Sequence, residues 1–341
     1  MPNHDSNSIL LTGGAGFIGS HICVELAKAG HRPVVLDNLC NSKPSVMERV
    51  GRIIGRPVDF VQGDIRDGDV LRRTLRDFKV RSVIHLAGLK AVGESVSMPL
   101  AYYDNNVVGT MRLLEAMDAC DVRSIVFSSS ATVYGVPKQL PVDESHPLST
   151  TNPYGQTKLV IEGILRDLRQ ASDRWHICML RYFNPVGAHE SGTIGEDPHG
   201  MPNNLMPFVL KVAAGRAKEL SVWGSDYPTP DGTGVRDYIH VVDLALGHVR
   251  AMERLDTMAC EAINLGTGRG TSVLELVNAF ERVNGVRVPF VMKDRRAGDV
   301  ASCFADPSRA LQRLGWKTER SVDDMCRDAW RWQQFAVAQG L

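Results

Sequence analysis

The sequence predicts an α/β protein: a Rossmann-type, doubly wound parallel sheet joined to a smaller α/β substrate-binding domain. Three observations lead there. A glycine triplet, Gly13-x-x-Gly16-x-x-Gly19, sits between a short apolar run and a helical pattern. Apolar runs and helical patterns then alternate along the first half of the chain, which implies parallel strands joined by right-handed crossovers, with helices on both faces. Beyond Tyr182 the texture changes to a stretch rich in Gly, Pro, Asn and His, followed by shorter mixed elements.

Taken in order, Ile9-Leu10-Leu11 forms the first strand, and Val24, Leu26 and Ala27 carry the first helix. Between them Gly13 permits a tight turn, Gly16 lets the backbone approach a pyrophosphate, and Gly19 lets helix and strand pack closely. The helix N-terminus offers free N–H groups and partial positive charge to phosphates. Pro33-Val34-Val35-Leu36 reads as the second strand and ends at Asp37. That is roughly the 20-residue distance at which a carboxylate accepts the hydroxyls of an adenosine ribose. Such a carboxylate would repel a 2′-phosphate, favouring NAD over NADP; an aspartate there also suits a plain strand-end turn. Further strands are expected at Val58–Val61, Ser82–Leu86, Ser124–Phe127 and Ile177–Leu180, with helices at Val70–Phe78 and Leu100–Ala119. Ligands of such sheets bind outside the carboxyl ends of the strands. Those ends carry Gly13, Asp37, Asp64-Ile65, Ala87-Gly88-Leu89-Lys90 and Ser128-Ser129-Ser130. Ser130 is placed to hydrogen-bond a substrate hydroxyl and Tyr154, although a serine run also suits a turn.

The next helix begins at Asn152, a good N-cap, with Pro153 as its first residue. Tyr154 and Lys158 then stack at i and i+4 on one face. A free phenol loses its proton near pH ~10, too high for a base at neutral pH, and an ammonium beside it favours the phenolate. The pair is suited to general-base work; the same spacing also describes a part-buried Tyr beside a solvated Lys.

After Tyr182, the stretch from Asn184 to Pro207 is too long for an ordinary connection and is either functional or disordered. Asn184, Asn203 and Asn204 offer amides suited to a uracil or sugar edge. His189 and His199 share no helical face and join no cysteine cluster, so they read as loop histidines and no metal site is expected. A helix at Pro207–Arg216, a strand at Leu220–Trp223 and another at Ile263–Gly266 follow. Arg236, Arg295 and Arg296 stand in turn-like contexts, either clamping a diphosphate or serving as ordinary surface arginines. Ser272-x-x-Glu275 and Ser321-x-x-Asp324 have the spacing of capping boxes for two late helices.

Composition narrows the function classes. The chain of 341 residues carries 39 Lys+Arg and 39 Asp+Glu, so its formal charge is zero and nothing marks it as a nucleic-acid or membrane-surface binder. Its 7 cysteines are odd in number and lack CxxC spacing, which fits reduced thiols in the cytoplasm rather than a disulfide framework. No signal-peptide pattern and no bilayer-spanning run is visible, and a soluble cytoplasmic protein is expected.

The glycine triplet, Asp37, Ser130 and the Tyr154/Lys158 pair, in this order, resemble the extended short-chain dehydrogenase/reductase superfamily. Within it the chain is similar to the UDP-glucose 4-epimerase family over essentially its whole length. The segments that carry this are Asp37-Asn38-Leu39, Ala87 to Ser95, Ser128 to Gly135, Arg181 to Ala188 and Gly232 to His240. The resemblance implies NAD as cofactor, a UDP-sugar as substrate, and 4-epimerisation of UDP-glucose and UDP-galactose through a transient 4-keto sugar. It implies Tyr154 as base, Lys158 as the residue that depresses its pKa and holds the nicotinamide ribose, and Ser130 as the bridge to the sugar hydroxyl. It places Gly13, Gly16, Phe17, Ile18, Gly19, Asp37, Asn38, Asn41, Ser42, Asp64, Ile65, Ala87, Gly88, Lys90, Asn105, Ser128 and Tyr182 around NAD, with Tyr154 and Lys158. Around the UDP-sugar it places Ser130, Thr132, Tyr154, Asn184, Asn204, Leu205, Arg236, Arg296, Asp299 and Cys303.

The resemblance further implies an NAD-binding domain over residues 1–183 and a UDP-sugar domain over 184–341, with segments near 236–250 and 262–266 returning to the first. It implies a homodimer paired through helices near Leu100–Ala119 and Pro153–Leu168, faces that would equally pack within a monomer. Family members restricted to glucose and galactose tend to carry tyrosine where this chain has Cys303. A small side chain there leaves room for a 2-N-acetyl group, so UDP-GlcNAc and UDP-GalNAc are expected as further substrates; a structural cysteine is the other reading. Related 4,6-dehydratases carry a carboxylate pair where this chain has Ala131 and Thr132, neither able to supply the acid that chemistry needs. A UDP-uronate epimerase or decarboxylase, and an NAD-sensing scaffold without catalysis, remain as rivals.

Overall fold

The computed structural model describes residues 8–197, 204–296 and 298–341; His199 and Asn203 lie outside the described residues. Seven strands form one parallel sheet: β1 (Ser8–Thr12), β2 (Arg32–Asp37), β3 (Asp59–Gln62), β4 (Ser82–His85), β5 (Ser124–Ser128), β6 (His176–Tyr182) and β7 (Cys260–Leu265). Their order across the sheet is β7-β6-β5-β4-β1-β2-β3. The chain winds one way from β1 to β3 and the other way from β4 to β7, so the switch point falls between β1 and β4, which pair directly. This is the doubly wound α/β architecture read from the sequence.

Strands β1, β2, β4, β5 and β6 are buried on both faces, and side-chain alternation sends neighbours to opposite cores. Ile9 and Leu11 of β1 pack with helices Phe17–Lys28, Ser45–Ile54 and Val241–Arg254 on one face. Leu10, Val34, Val83 and Ile125 pack with helices Gly68–Asp77, Gly109–Ala119 and Pro153–Ala171 on the other. A third core gathers helices Leu205–Ala213, Val273–Asn284 and Val322–Ala338 around Phe280, beside small sheets. One of these small sheets sets Thr271–Ser272 and Ser302–Cys303 on either side of Val235–Arg236.

Local signals did what their chemistry requires. Asn152 Oδ1 accepts from the Gly155 N–H at 2.9 Å, with Pro153 in the first turn of the helix. Ser272 with Glu275, and Ser321 with Asp324, close complete capping boxes. Two helices differ from expectation. The stretch Leu100–Ala119 is not one α-helix: Pro99–Tyr102 is followed by a π-helical turn, Tyr103–Val108, before Gly109–Ala119. Hydrophobic spacing cannot register the extra residue, because the bulge shifts the side-chain register without changing composition. The helix expected at Pro207–Arg216 runs over Leu205–Ala213. Pro207 sits two positions further in than a first-residue proline, where its missing N–H is still one that no helical carbonyl would have claimed.

Candidate active site

The carboxyl ends of β1, β2, β4, β5 and β6 open into one cleft of about 340 Å³. Its floor is the glycine turn. Gly13 has φ +72°, and a Cβ there would lie 2.8 Å from the Ala87 backbone nitrogen, so the turn after β1 is pressed against the end of β4. A Cβ on Gly19 would meet the Gly13 carbonyl oxygen at 2.4 Å and Gly14 Cα at 2.6 Å. Gly16 is different: a Cβ there would find only the Gly13 oxygen, at 3.3 Å, and otherwise project into the cleft it lines. Gly16 is also the N-cap of helix Phe17–Lys28 and supplies no side chain to the first-turn N–H groups. A bare helix N-terminus behind an open glycine is the cradle a pyrophosphate fits.

At the end of β2, the Asp37 carboxylate is held by three donors: the Ala15 N–H (3.0 Å), the Leu39 N–H (2.9 Å) and the Ser42 hydroxyl (2.9 Å). A carboxylate offers about four acceptor positions, so an oriented one remains for a ligand hydroxyl. Asn38 lines the cleft and donates to Asp64 at 3.0 Å. Asp64 itself does not line it. Its carboxyl is held well below the usual range, chiefly by the Arg66 guanidinium, and it acts on the cleft through Asn38. Beyond β4, the π-helical turn separates two adjacent amides. Asn105 faces the cleft, while buried Asn106 accepts from the Leu89 N–H (2.8 Å) and donates to the Leu89 carbonyl and Thr157 hydroxyl (both 3.0 Å). That clamp fixes the Ala87–Lys90 segment against the helix bearing Tyr154 and Lys158.

Tyr154, Lys158 and Ser130 meet on one side of the cleft, as the spacing implied, and all three are buried. The electrostatics differ from the simple expectation. Burial pushes the Tyr154 phenol up, and a hydrogen bond with Ser130 opposes that. Lys158 Nζ donates to the Ser128 carbonyl at 2.8 Å and lies 6.0 Å from the Tyr154 ring centre. Its own burial pulls it from 10.5 to about 8, with the Glu162 charge opposing. The ammonium thus prepares the site without ionising the phenol by itself. Ser128 contributes from beneath, through that carbonyl, and does not line the cleft.

The expected nucleotide-sugar residues divide. Ser130, Thr132, Tyr154, Asn184 and Asn204 line the cleft. Leu205 opens the helix for which Asn204 is the N-cap. Arg236, Arg296, Asp299 and Cys303 lie outside the cleft lining, on a strip beside it. Arg236 donates to the Val235 (2.9 Å) and Val300 (2.8 Å) carbonyls, Arg296 pairs with Asp299 (3.0 Å), and Cys303 pairs in register with Arg236. Cys303 packs on the cluster of Val133, Tyr134 and Phe183, and Phe183 lines the cleft. Arg295, also absent from the cleft lining, pairs with Asp226 at 2.7 Å and lies over the Tyr227 ring at 4.2 Å.

Two acids were missed by the sequence reading. Glu196 Oε1 accepts from Lys90 (3.2 Å) and Asn204 (3.1 Å), and Asp197 pairs with Lys43 (2.7 Å), so both stretch across the cleft that they line. Nothing local marks them, because their lysine partners are 106 and 154 residues away.

With this geometry in place, comparison with known proteins is informative. Residues 10–329 match the family model described as GDP-mannose 4,6 dehydratase. A UDP-glucose 4-epimerase of Bacillus subtilis (strain 168) is 58% identical over 331 residues, covering 97% of this chain and 98% of its own. One from Dictyostelium discoideum is 56% identical over 329 residues, covering 96% of each. The crystal structure of a UDP-glucose 4-epimerase from Stenotrophomonas maltophila, with bound NAD and formylated UDP-arabinopyranose, superimposes with TM-score 0.96 at 53% identity, over 98% of this chain and 100% of that one. One from Bifidobacterium longum, in complex with NAD+ and UDP, gives TM-score 0.94 at 53% identity over 96% and 98%.

The contrast between two glycines is testable. Gly16→Val should leave thermal unfolding nearly unchanged while weakening NAD binding at least ten-fold, as read by fluorescence titration. Gly19→Ala forces backbone apart and should cost about 1–3 kcal/mol in denaturant unfolding.

Proposed function

The chain belongs to the UDP-glucose 4-epimerase family and is an NAD-dependent epimerase of that kind, and from this premise we propose how its residues divide the work on UDP-glucose and UDP-galactose. The observation that carries the reading is the convergence of buried Tyr154, Lys158 and Ser130 with the glycine cradle on a single cleft. NAD supplies the hydride acceptor and donor at the sugar C4. Gly13 and Gly16 leave room for its pyrophosphate, Asp37 presents an oriented carboxylate oxygen to a ribose, and Lys90 and Asn105 flank the end of β4. Tyr154 takes the proton of the sugar 4-hydroxyl through its phenol oxygen, and returns it when the other epimer forms. Ser130 bridges that hydroxyl and the phenol. Lys158, held by the Ser128 carbonyl, stabilises the phenolate; the positive nicotinamide ring adds to the same field.

Epimerisation requires the 4-keto sugar to present both faces, so the UDP must be gripped while the sugar is loosely held. Asn184 and Asn204 supply amides at the cleft mouth, Leu205 closes beside them, and Arg236, Arg296 and Asp299 offer charge along the neighbouring strip. Dehydratase chemistry, which the family model's description raises, lacks its acid: Ala131 and Thr132 follow Ser130. Cys303 packs beside Phe183, which lines the cleft, and is smaller than the tyrosine of glucose-restricted relatives; on that size difference rests the reading of UDP-GlcNAc and UDP-GalNAc as additional substrates. A homodimer is also part of the reading. Val96, Met98 and Leu100 are 63%, 54% and 83% exposed on adjoining short helices, an apolar surface suited to a second copy.

Tyr154→Phe should lower kcat on UDP-galactose by at least 100-fold with NAD still bound; unchanged turnover would end the assignment of the base. Cys303→Tyr should cut UDP-GalNAc turnover at least ten-fold while sparing UDP-galactose, and a wild-type enzyme inert toward UDP-GalNAc removes the broader specificity. Sedimentation should show a dimer that Leu100→Glu converts to monomer.

A further inference from the structure

Beneath the Ser130–Tyr154–Lys158 group lies a buried charge that the reaction above does not use. Glu162, fully buried, stands four residues beyond Lys158 on the same helix. Its Oε1 accepts from the Ser129 hydroxyl (2.6 Å) and from Arg181 Nε (2.9 Å); its Oε2 accepts from Arg181 (2.6 Å) and Arg166 (2.7 Å). Arg181 is buried as well and reaches the Tyr134 hydroxyl at 3.1 Å, which donates to Asn264 at 2.6 Å. The pair therefore ties the helix to Ser129, just past the end of β5, to β6 one residue before Tyr182, and through Asn264 to β7.

A brace does not need charge. Apolar side chains of similar volume hold such junctions as well or better, because removing two ions from water costs about what their attraction returns. What sits one turn away gives the charge a use. Lys158 Nζ has the Ser128 carbonyl at 2.8 Å and the face of Phe127 at 4.9 Å, both on β5. The titratable groups around it are Tyr154 and Glu162 on its own helix, His85 at the end of β4 and Tyr182 on β6, with Arg181 and Arg166 joined to the group through the Glu162 carboxylate; Asn105, from the π-helical turn, is neutral. Burial pushes His85 down to about 3 and Tyr182 up, so neither carries charge at neutral pH. Among these groups Glu162 is the one anion.

We propose that Glu162 is a positioning residue for this reaction, keeping the Lys158 ammonium charged at working pH while Arg181 fixes the carboxylate one helical turn away. The burial that pulls Lys158 down is opposed by this carboxylate. The proposal rests on the reading of Lys158 given above, and it predicts where activity ends on the alkaline side. A lowered lysine pKa leaves the ammonium present below that pKa and loses it as pH rises through it.

The test is the pH dependence of kcat on UDP-galactose, measured on NAD-loaded enzyme. Glu162→Gln should move the alkaline limb down by about 0.3 to 1 pH unit, from the order of an exposed i, i+4 pair up to that of a charge acting at the lower effective dielectric of a buried site. The double variant Glu162→Gln/Arg181→Met removes the buried pair as a unit and is the better candidate to fold. It should still move the limb down, by less, because a more distant cation has gone with the anion. A limb at the wild-type pH in the double variant, whatever happens to its melting temperature, overturns the proposal and leaves a purely structural brace. Lys158→Met is run beside them: activity retained there removes the reading of Lys158 itself, whereas activity lost there with unmoved limbs in the charge variants removes only the role of Glu162.

Discussion

An ammonium sealed from water is the constraint around which this site is organised. Lys158 is 4% exposed, and burial pulls its pKa from 10.5 to about 8 even with the Glu162 carboxylate opposing. What compensates is spread over several elements: the Ser128 carbonyl and the Phe127 ring on β5, and a carboxylate one turn along the helix that is itself anchored from β6. Each of these depends on where a strand stops. Were β5 one residue longer or shorter, the carbonyl that accepts from Lys158 would turn to the other side of the strand, and Ser130 would leave Tyr154. The parallel sheet thus sets the electrostatics by setting strand ends.

That dependence explains what was legible in the sequence. The glycine triplet, the two-faced apolar strands and the capped start of helix Pro153–Ala171 are local patterns, and each maps onto a local geometry: Gly13 against Ala87, Leu10 and Leu11 into opposite cores, Asn152 onto Gly155. The Tyr154/Lys158 spacing was legible for the same reason. Relations made by tertiary contact were not. Nothing in the segment Leu100–Ala119 announces the π-helical turn on which Asn105 and Asn106 stand. Glu196 and Asp197 read as ordinary loop acids until Lys90 and Lys43 are brought opposite them. Arg295 and Arg296 look alike in sequence, and which acid and ring each meets, Asp226 and Tyr227 for one and Asp299 and Trp223 for the other, is set by the fold. The direction of the Tyr154 shift was also beyond reach, since spacing reports a neighbouring cation but says nothing of the water that burial removes.

The two halves of the site hold their ligands by different physical means, and the difference suits the proposed reaction. The dinucleotide side is built from backbone and saturated side chains. Gly13 and Gly19 admit no Cβ, and Asp37 is fixed by three donors before any ligand arrives. Groups already ordered lose little entropy on binding, so this side favours a cofactor that stays through many turnovers. On the other side, Arg296 and Asp299 are partly open to solvent and held chiefly by one another. On the proposed reading Arg296 would grip a diphosphate by charge, steadied by Asp299, and leave what hangs from the diphosphate free to turn. A site rigid throughout would hold one face of the sugar toward the nicotinamide and act as a dehydrogenase. A site loose throughout would lose the cofactor between half-reactions. Firm contact at C4 chemistry and at the nucleotide, with slack between them, is the arrangement that returns the hydride to the opposite face.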